Sequence, residues 1–177
     1  GKKPNADIMI PLISEVGELN LVRSWIEEEV ASIEDEMRPR IGTMIETPRA
    51  AITSEEVAKS ADFFSFGTND LTQLVFGFSR DDIESRVIGV YINKGILPAN
   101  PFETLDFQGV GHVVKHAIDK GRKINPELEI GVCGEHGGDP ESIRFFLEAG
   151  VDYVSCSPFR VPAARLAAAQ AVLSSSK

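Results

Sequence analysis

The stretch that decides the fold reads Phe63-Phe64-Ser65-Phe66-Gly67-Thr68-Asn69-Asp70-Leu71-Thr72-Gln73. The run over residues 62–66 is short and aromatic, and Gly67 bounds it, which is typical of a strand covered on both faces. Gly67 itself permits a sharp turn or the close approach of a ligand. The next three residues present a hydroxyl, an amide and a carboxylate. Polar groups at the carboxyl end of a parallel strand indicate a ligand-binding face, although Asn and Asp also favour turns that cap a helix.

Four other short apolar runs predict strands, and helical patterns follow them. The predicted strands cover residues 8–13, 41–46, 129–133 and 152–156. Apolar residues at steps of three and four predict a helix over residues 19–37, stopped by Pro39. A Thr53-x-x-Glu56 capping box predicts the start of another helix, and Asp139-Pro140 opens a third. The section from 74 to 108 has no clear period, so we expect it to contain short elements or a functional loop.

Five alternations of strand and helix predict a parallel sheet with helices outside it. No Gly-x-Gly-x-x-Gly motif follows the first strand, which disfavours a dinucleotide-binding fold. A complete (β/α)₈ TIM barrel needs about 250 residues. The sequence therefore predicts a single α/β domain over residues 1–177 that contains the last five βα units of such a barrel, without the first three.

Composition excludes several classes of partner. The chain has 177 residues, is 42% hydrophobic and carries a formal net charge of −9. With that charge and no basic patch, we expect no nucleic-acid partner. No apolar run approaches the roughly 20 residues that span a bilayer, so we expect no membrane partner. Cys133 and Cys156 form no disulfide framework, which indicates a reducing compartment: the cytoplasm, or an organelle if a targeting segment was lost with the N-terminus.

Two acidic side chains stand at the ends of neighbouring predicted strands. Glu46 ends the second strand and Asp70 follows the third. In a barrel, functional groups come from the ends of several strands on one face, so these carboxylates are expected to be neighbours. Two hard oxygen donors suit Mg²⁺, whose other ligands are usually waters and substrate oxygens. The alternative is that both acids only cap helices.

The loop after the fourth strand, Cys133-Gly134-Glu135-His136, contains further candidates. The thiol of Cys133 could face a ligand as an acid or a nucleophile, or be a small buried apolar group. Cys156, inside a predicted strand, fits the buried role better. His136 could be a metal ligand, a base or a hydrogen-bonded support; without a partner at zinc spacing, support is favoured. Arg80 could meet an anion or pair with the adjacent acids.

Three stretches together resemble the phosphoenolpyruvate-utilising enzymes. They are Gly42-Thr43-Met44-Ile45-Glu46-Thr47-Pro48-Arg49-Ala50-Ala51, the stretch from Phe64 to Gln73, and Cys133-Gly134-Glu135-His136-Gly137-Gly138. Two more resemble the dikinases of this family in particular. They are Phe78-Ser79-Arg80-Asp81-Asp82 and Ser155-Cys156-Ser157-Pro158-Phe159-Arg160-Val161-Pro162. The resemblance covers nearly the whole chain.

The resemblance implies a (β/α)₈ barrel that interconverts pyruvate and phosphoenolpyruvate. It implies that Cys133 is the proton donor to the methylene carbon of the enolate and that Glu46 and Asp70 hold Mg²⁺. It also implies a set of substrate contacts at the strand ends: Glu46, Gly67, Thr68, Asn69 and Asp70. Thr47 stands where the dikinases more often have Ile, which affects none of these roles.

The resemblance further implies partners outside this chain. The family carries its phosphoryl group on a histidine of a separate mobile domain, and another domain binds ATP. None of His112, His116 and His136 lies in the motif of that carrier domain. The arginines that bind the substrate phosphate lie on barrel strands absent here. The intact enzyme is expected to be a homo-oligomer, and the fragment alone to be inactive.

Four alternatives to a dikinase stay open from the sequence. Two are close relatives: phosphoenolpyruvate synthase and enzyme I of the sugar phosphotransferase system. A third is an Mg²⁺-dependent barrel lyase acting on a pyruvate enolate, which the Cys-Gly-Glu-His loop disfavours. The fourth is a catalytically inert half-barrel that serves as a binding module.

Overall fold

A computed structural model describes residues 6–175, except the side chains of Glu36 and Ser175. In this part of the chain five parallel strands form one sheet, in which each strand pairs with the next along the chain. They are β1 (Asp7–Ile10), β2 (Arg40–Ile45), β3 (Phe63–Gly67), β4 (Glu129–Cys133) and β5 (Tyr153–Val154). A doubly wound sheet would reverse its strand order at a switch point. The uninterrupted order is that of an arc of a (β/α) barrel, which confirms the predicted fold class.

The helices follow the strands along the chain. They are α1 (Val16–Glu29), α2 (Pro48–Ile52), α3 (Ser54–Val57), α4 (Thr68–Phe76), α5 (Arg80–Ile83), α6 (Ile88–Asn93), α7 (Val110–Ile124), α8 (Pro140–Ala149) and α9 (Val161–Ser175). Short 3₁₀ turns lie at Asp35–Met37, Glu135–Gly138 and Pro158–Arg160. Within residues 6–175, no helix has both the length and the apolar character needed to cross a bilayer.

The core lies between the sheet and the helices beside it. All five residues of β3 are buried, which the aromatic run predicted, and Phe64 and Phe66 have no exposed surface. Val114 of α7 is buried in the same cluster. Gly121 lets α7 approach β3 closely, because a Cβ there would come within 2.9 Å of the Phe64 ring. Burying one such Phe stabilises the fold by about 1.5–3 kcal/mol, so β3 is fixed firmly in the centre of the sheet.

One helix boundary and one helix cap differ from the sequence prediction. α1 ends at Glu29, although the apolar pattern continues to Met37. Three consecutive glutamates, the last of them Glu29, occupy the end of this helix, where the helix dipole disfavours negative charge. Arg38 then donates hydrogen bonds to carbonyl groups beyond the helix end. The helix predicted to start at Thr53 is present, since α3 begins directly after this residue, but the capping hydrogen bond is absent, because the Thr53 hydroxyl donates to the Arg49 carbonyl oxygen at 2.9 Å.

The section over residues 74–108 contains short helices of its own, as expected. It begins with the end of α4, includes α5 and α6, and leads into α7. The Arg80 guanidinium lies 5.5 Å from the centre of the Phe102 ring, which joins two parts of this section. The section passes over the carboxyl end of the sheet, because Arg80 and Pro101 both contact the loop after β4.

Candidate functional site

Three predicted site residues form a row across the carboxyl ends of β2, β3 and β4. Gly67 pairs with Cys133, and Phe66 pairs with both Val132 and Ile45. Glu46 directly follows Ile45 and is therefore level with Gly67. We call Glu46, Gly67 and Cys133 the strand-end row. Thr68, Asn69 and Asp70 begin α4 immediately beyond it.

Glu46 is a buried carboxylate fixed from two sides. Only 3% of the residue is exposed. The Leu12 backbone N–H donates a hydrogen bond of 2.7 Å to Glu46 Oε1, and Leu12 has a φ of +53°, which is unusual for a side chain of this size. On the other side the carboxylate lies against Gly67, where any Cβ would collide with Oε2. Gly67 is therefore required for Glu46 to occupy this position.

Glu46 and Asp70 face each other. Their negative charges repel each other, and the pKa of Glu46 is raised, first by burial and then by this repulsion from Asp70. The Leu12 N–H opposes this shift because it favours the ionised form. Gln73 Nε2 donates to Asp70 Oδ1 at 3.2 Å, and Gln73 Oε1 accepts the Arg80 N–H at 2.9 Å. The pair is thus held by groups from several segments.

This carboxylate pair fits a magnesium ion. Among the described residues no group of three or more His, Cys, Asp or Glu is placed to hold a metal ion, so Glu46 and Asp70 would supply two charged ligands without a third. Mg²⁺ commonly takes one or two protein carboxylates and completes its octahedron with waters and substrate oxygens. No lysine or arginine in residues 6–175 forms an ion pair with either acid. A bound cation would therefore relieve their repulsion.

We expect Glu46 to destabilise the metal-free protein increasingly as the pH rises. Its pKa is higher in the folded than in the unfolded protein, so protonated Glu46 favours the folded state. This contribution to stability is complete below the unfolded-state pKa of about 4.3. It is lost as the pH rises through the folded-state pKa. Urea unfolding with EDTA should show Glu46→Gln gaining stability over the wild type at neutral pH but not at pH 4. An equal difference at both pH values would contradict the geometry of the pair.

Cys133 carries a protonated thiol in a half-buried position. Its Sγ lies 3.6 Å from the Phe66 carbonyl oxygen, to which the S–H donates, and the Ser65 hydroxyl donates to Sγ at 3.5 Å. Burial raises the pKa of Cys133; Ser65 lowers it, while the negative charges of Glu46 and Asp70 raise it further. The thiol therefore keeps its proton near neutral pH and can act as an acid.

The other cysteine does not belong to the strand-end row. Cys156 lies beyond the end of β5 rather than inside a strand, so that part of its prediction is wrong. β5 pairs with β4 over two residues only, Tyr153 and Val154, and the Ser155 N–H donates the last backbone hydrogen bond to β4, at the Val132 carbonyl oxygen. Cys156 is half-buried against an apolar cluster that includes Ile143, and it also lines a small cavity of about 190 Å³ beside Gly134.

The remaining predicted residues lie around the strand-end row. Thr68 is fully buried and its hydroxyl contacts His136. At the start of α4 it can therefore contact a ligand through its backbone N–H. Asn69 Oδ1 accepts the Glu135 N–H at 3.3 Å. Arg80 is in an ion-pair network, with Glu84 at 3.0 Å and Glu135 at 3.7 Å. These partners are not the adjacent acids that the sequence suggested.

Three residues that sequence reasoning missed support the site. Ser65 stands two residues before Gly67 on β3, so the alternation of a strand places both on one face and could have revealed it. Gln73 stands three residues after Asp70, a helical spacing at which side chains meet. Leu12 acts through its backbone N–H, for which no sequence signal exists.

One large cavity of the described chain lies apart from this site. It has a volume of about 740 Å³ and mostly apolar walls from the segment 96–109. None of Glu46, Asp70 and Cys133 lines it. Convergent polar groups, rather than cavity size, identify the candidate site.

Comparisons with known proteins identify the family of the chain. The family model described as PEP-utilising enzyme, PEP-binding domain matches residues 2–173. A chloroplastic pyruvate, phosphate dikinase of Mesembryanthemum crystallinum is 53% identical over 97% of this chain and 18% of its own length. The chloroplastic pyruvate, phosphate dikinase 1 of Arabidopsis thaliana is 54% identical over 94% of this chain and 18% of its own length. Pyruvate, phosphate dikinase 2 of Oryza sativa subsp. japonica is 52% identical over 98% of this chain and 20% of its own length.

Proposed function

The chain belongs to the PEP-utilising enzymes through their PEP-binding domain, and on this premise we propose that it is the pyruvate- and phosphoenolpyruvate-binding part of a pyruvate, phosphate dikinase. The chain spans 18–20% of the length of the three relatives described. The complete reaction therefore belongs to a longer protein. It converts ATP, pyruvate and phosphate into AMP, phosphoenolpyruvate and diphosphate.

Residues 1–177 are proposed to be one domain, the last five units of an eight-unit barrel. The sequential order of five parallel strands supports this, as does the size of a full barrel, about 250 residues. The partners are the domain that carries the phosphohistidine and the domain that binds ATP, and the intact enzyme is a homo-oligomer. Relatives named chloroplastic support an organelle as one location, with the cytoplasm as the other.

In this proposal each residue of the site has a distinct role. Glu46 and Asp70 hold Mg²⁺, which supplies, when bound, positive charge that stabilises the negative charge developing on the substrate. Gly67 leaves space beside Glu46, and the start of α4 with Thr68 and Asn69 directs N–H groups at the anionic substrate.

Cys133 is the proposed general acid. Phosphoenolpyruvate that has lost its phosphoryl group leaves the enolate of pyruvate, whose methylene carbon is electron-rich and needs a proton. The Cys133 S–H supplies that proton, forming a C–H bond and a thiolate, and the thiolate removes a methyl proton in the reverse direction. The position of the Cys133 thiol in one strand-end row with Glu46, beside which Asp70 lies, is the observation that carries the proposal.

The close alternatives differ in the phosphoryl chemistry of domains outside this chain. Phosphoenolpyruvate synthase and enzyme I would use the same barrel chemistry. Identities of 52–54% to proteins named pyruvate, phosphate dikinase favour the dikinase. An inert binding module has no need of a buried Glu46 carboxylate beside Asp70, an arrangement that is costly to keep without a cation.

We expect the full-length protein to form phosphoenolpyruvate from pyruvate only with ATP, phosphate and Mg²⁺ together. The isolated chain of residues 1–177 is expected to show no such turnover and to associate, because β1 and β5 each pair on one side only within the described chain and leave a free sheet edge. Coupled assays and size-exclusion chromatography check both points. Phosphate-independent turnover by the full-length protein would indicate the synthase. Turnover by the isolated chain would contradict the proposal that the phosphoryl chemistry takes place in domains outside it.

A further inference from the structure

His136 is a buried histidine that the proposed chemistry does not use. It lies in the 3₁₀ turn Glu135–Gly138 and has no exposed surface. Its Nε2 is 2.9 Å from the Pro101 carbonyl oxygen and its Nδ1 is 2.8 Å from Thr68 Oγ1. One imidazole therefore joins the loop after β4, the start of α4 and the segment that precedes α7.

The partners of His136 determine where its proton lies. A carbonyl oxygen can only accept, so Nε2 carries the hydrogen that binds Pro101. Burial lowers the pKa of His136, as does Arg80, while the Pro101 carbonyl and the charges of Asp139 and Glu135 oppose this. The neutral ring has a lone pair on Nδ1, which can only accept. The Thr68 hydroxyl must therefore donate the hydrogen bond between them.

The orientation of the Thr68 hydroxyl then follows. Its single hydrogen points to His136, at 2.8 Å, rather than to the Cys133 carbonyl oxygen, at 3.3 Å. The two segments are in close contact here, since a Cβ on Gly134 would come within 2.7 Å of Thr68 Oγ1. Without His136 the hydroxyl would turn to the Cys133 backbone and pull on the residue that carries the thiol.

We propose that His136 is a positioning residue for the pyruvate half-reaction, because it fixes Thr68 and thereby aligns the start of α4 with the Cys133 loop. The inference rests on the proposed function. Asn69 and Asp70 follow Thr68 in the same helical turn, so a shift of Thr68 moves both relative to Cys133. A misplacement of about 1 Å at reacting groups can cost about 10²-fold in rate.

A second connection keeps the neighbouring segment in place when His136 is changed. The Leu105 N–H donates to Ser142 Oγ at 2.9 Å, and the Ser142 hydroxyl donates to Asp139 Oδ2 at 2.6 Å. These bonds attach the segment before α7 to the loop after β4 independently of the imidazole. Changing His136 therefore acts chiefly on Thr68.

The test uses paired variants of the full-length enzyme. His136→Leu removes both hydrogen bonds at similar size, whereas His136→Gln keeps a donor and an acceptor. Thr68→Val removes the hydroxyl without changing the shape, whereas Thr68→Ser keeps it. We expect the Leu and Val variants to slow the exchange of pyruvate methyl protons about 10–100-fold and the Gln and Ser variants to recover most of the rate. The exchange between ATP and phosphate on the carrier domain should be unchanged.

The double variant and a control separate positioning from general destabilisation. His136→Leu with Thr68→Val should be no slower than the slower single variant, because both remove the same contact. His112→Gln, on an exposed position of α7, should exchange at the wild-type rate. Additive losses, or a wild-type rate in His136→Leu, would overturn the inference. If His136→Leu does not fold, the Thr68→Val and Thr68→Ser pair decides alone. A wild-type enzyme without any exchange would instead overturn the proposed function itself.

Discussion

Replacing Cys133 by alanine in the full-length enzyme is expected to abolish the interconversion of pyruvate and phosphoenolpyruvate, with a loss of about 10²–10⁴-fold. The thiol is half-buried and its pKa is raised, so it holds a proton that can be delivered to the methylene carbon of the enolate. Alanine removes the acid and leaves the strand-end row otherwise intact. Transfer from ATP and phosphate to the carrier histidine should continue at the wild-type rate, because that step occurs in other domains.

The two half-reactions must be followed separately to see this split. Exchange of the methyl protons of pyruvate, measured by NMR in ²H₂O, reports on Cys133, and isotope exchange between ATP and AMP reports on the other domains. Cys156→Ala is the matched control: it also removes one half-buried thiol but lies among apolar side chains beyond β5. Methyl-proton exchange at the wild-type rate in Cys133→Ala would show that another group is the acid.

Changing either carboxylate of the pair should remove most magnesium-dependent turnover. Glu46→Gln and Asp70→Asn keep the size of each side chain but remove one charge from the expected Mg²⁺ ligands. Losses of about 10²–10³-fold are expected, as for the removal of one preorganised group that stabilises developing charge. The Mg²⁺ concentration that gives half-maximal rate should also rise, because one of two anionic ligands has become neutral.

Titration of the pyruvate half-reaction with Mg²⁺ provides the measurement. Glu28→Gln is the control, since Glu28 lies exposed on α1 and its replacement removes the same charge from the protein. It should leave the magnesium dependence unaltered. If Glu46→Gln had the same magnesium dependence as Glu28→Gln, Glu46 would not be a metal ligand, and its burial beside Asp70 would need another explanation.

The sequence predicted the strands of this fold more accurately than the ends of its helices. β3 and β4 can be recognised in the sequence as short aromatic or apolar runs bounded by glycine. Each run lies within five consecutive residues, so the pattern needs no contact distant in sequence. The end of α1 was missed, because the apolar pattern continues past Glu29 while three glutamates at the carboxyl end make the helix unfavourable there. β5 is shorter than predicted, because only Tyr153 and Val154 of the apolar run over residues 152–156 pair with β4.

The sequence by itself determined which residues meet at the strand-end row. Glu46, Gly67 and Cys133 each follow or end a recognisable strand, and parallel strands bring their carboxyl ends to one edge whatever the details of packing. Only the tertiary structure decided what holds them. Leu12 reaches Glu46 across 34 residues, and His136 reaches Thr68 across 68. These contacts depend on backbone groups and on side-chain direction after folding, which no local pattern of residue types encodes.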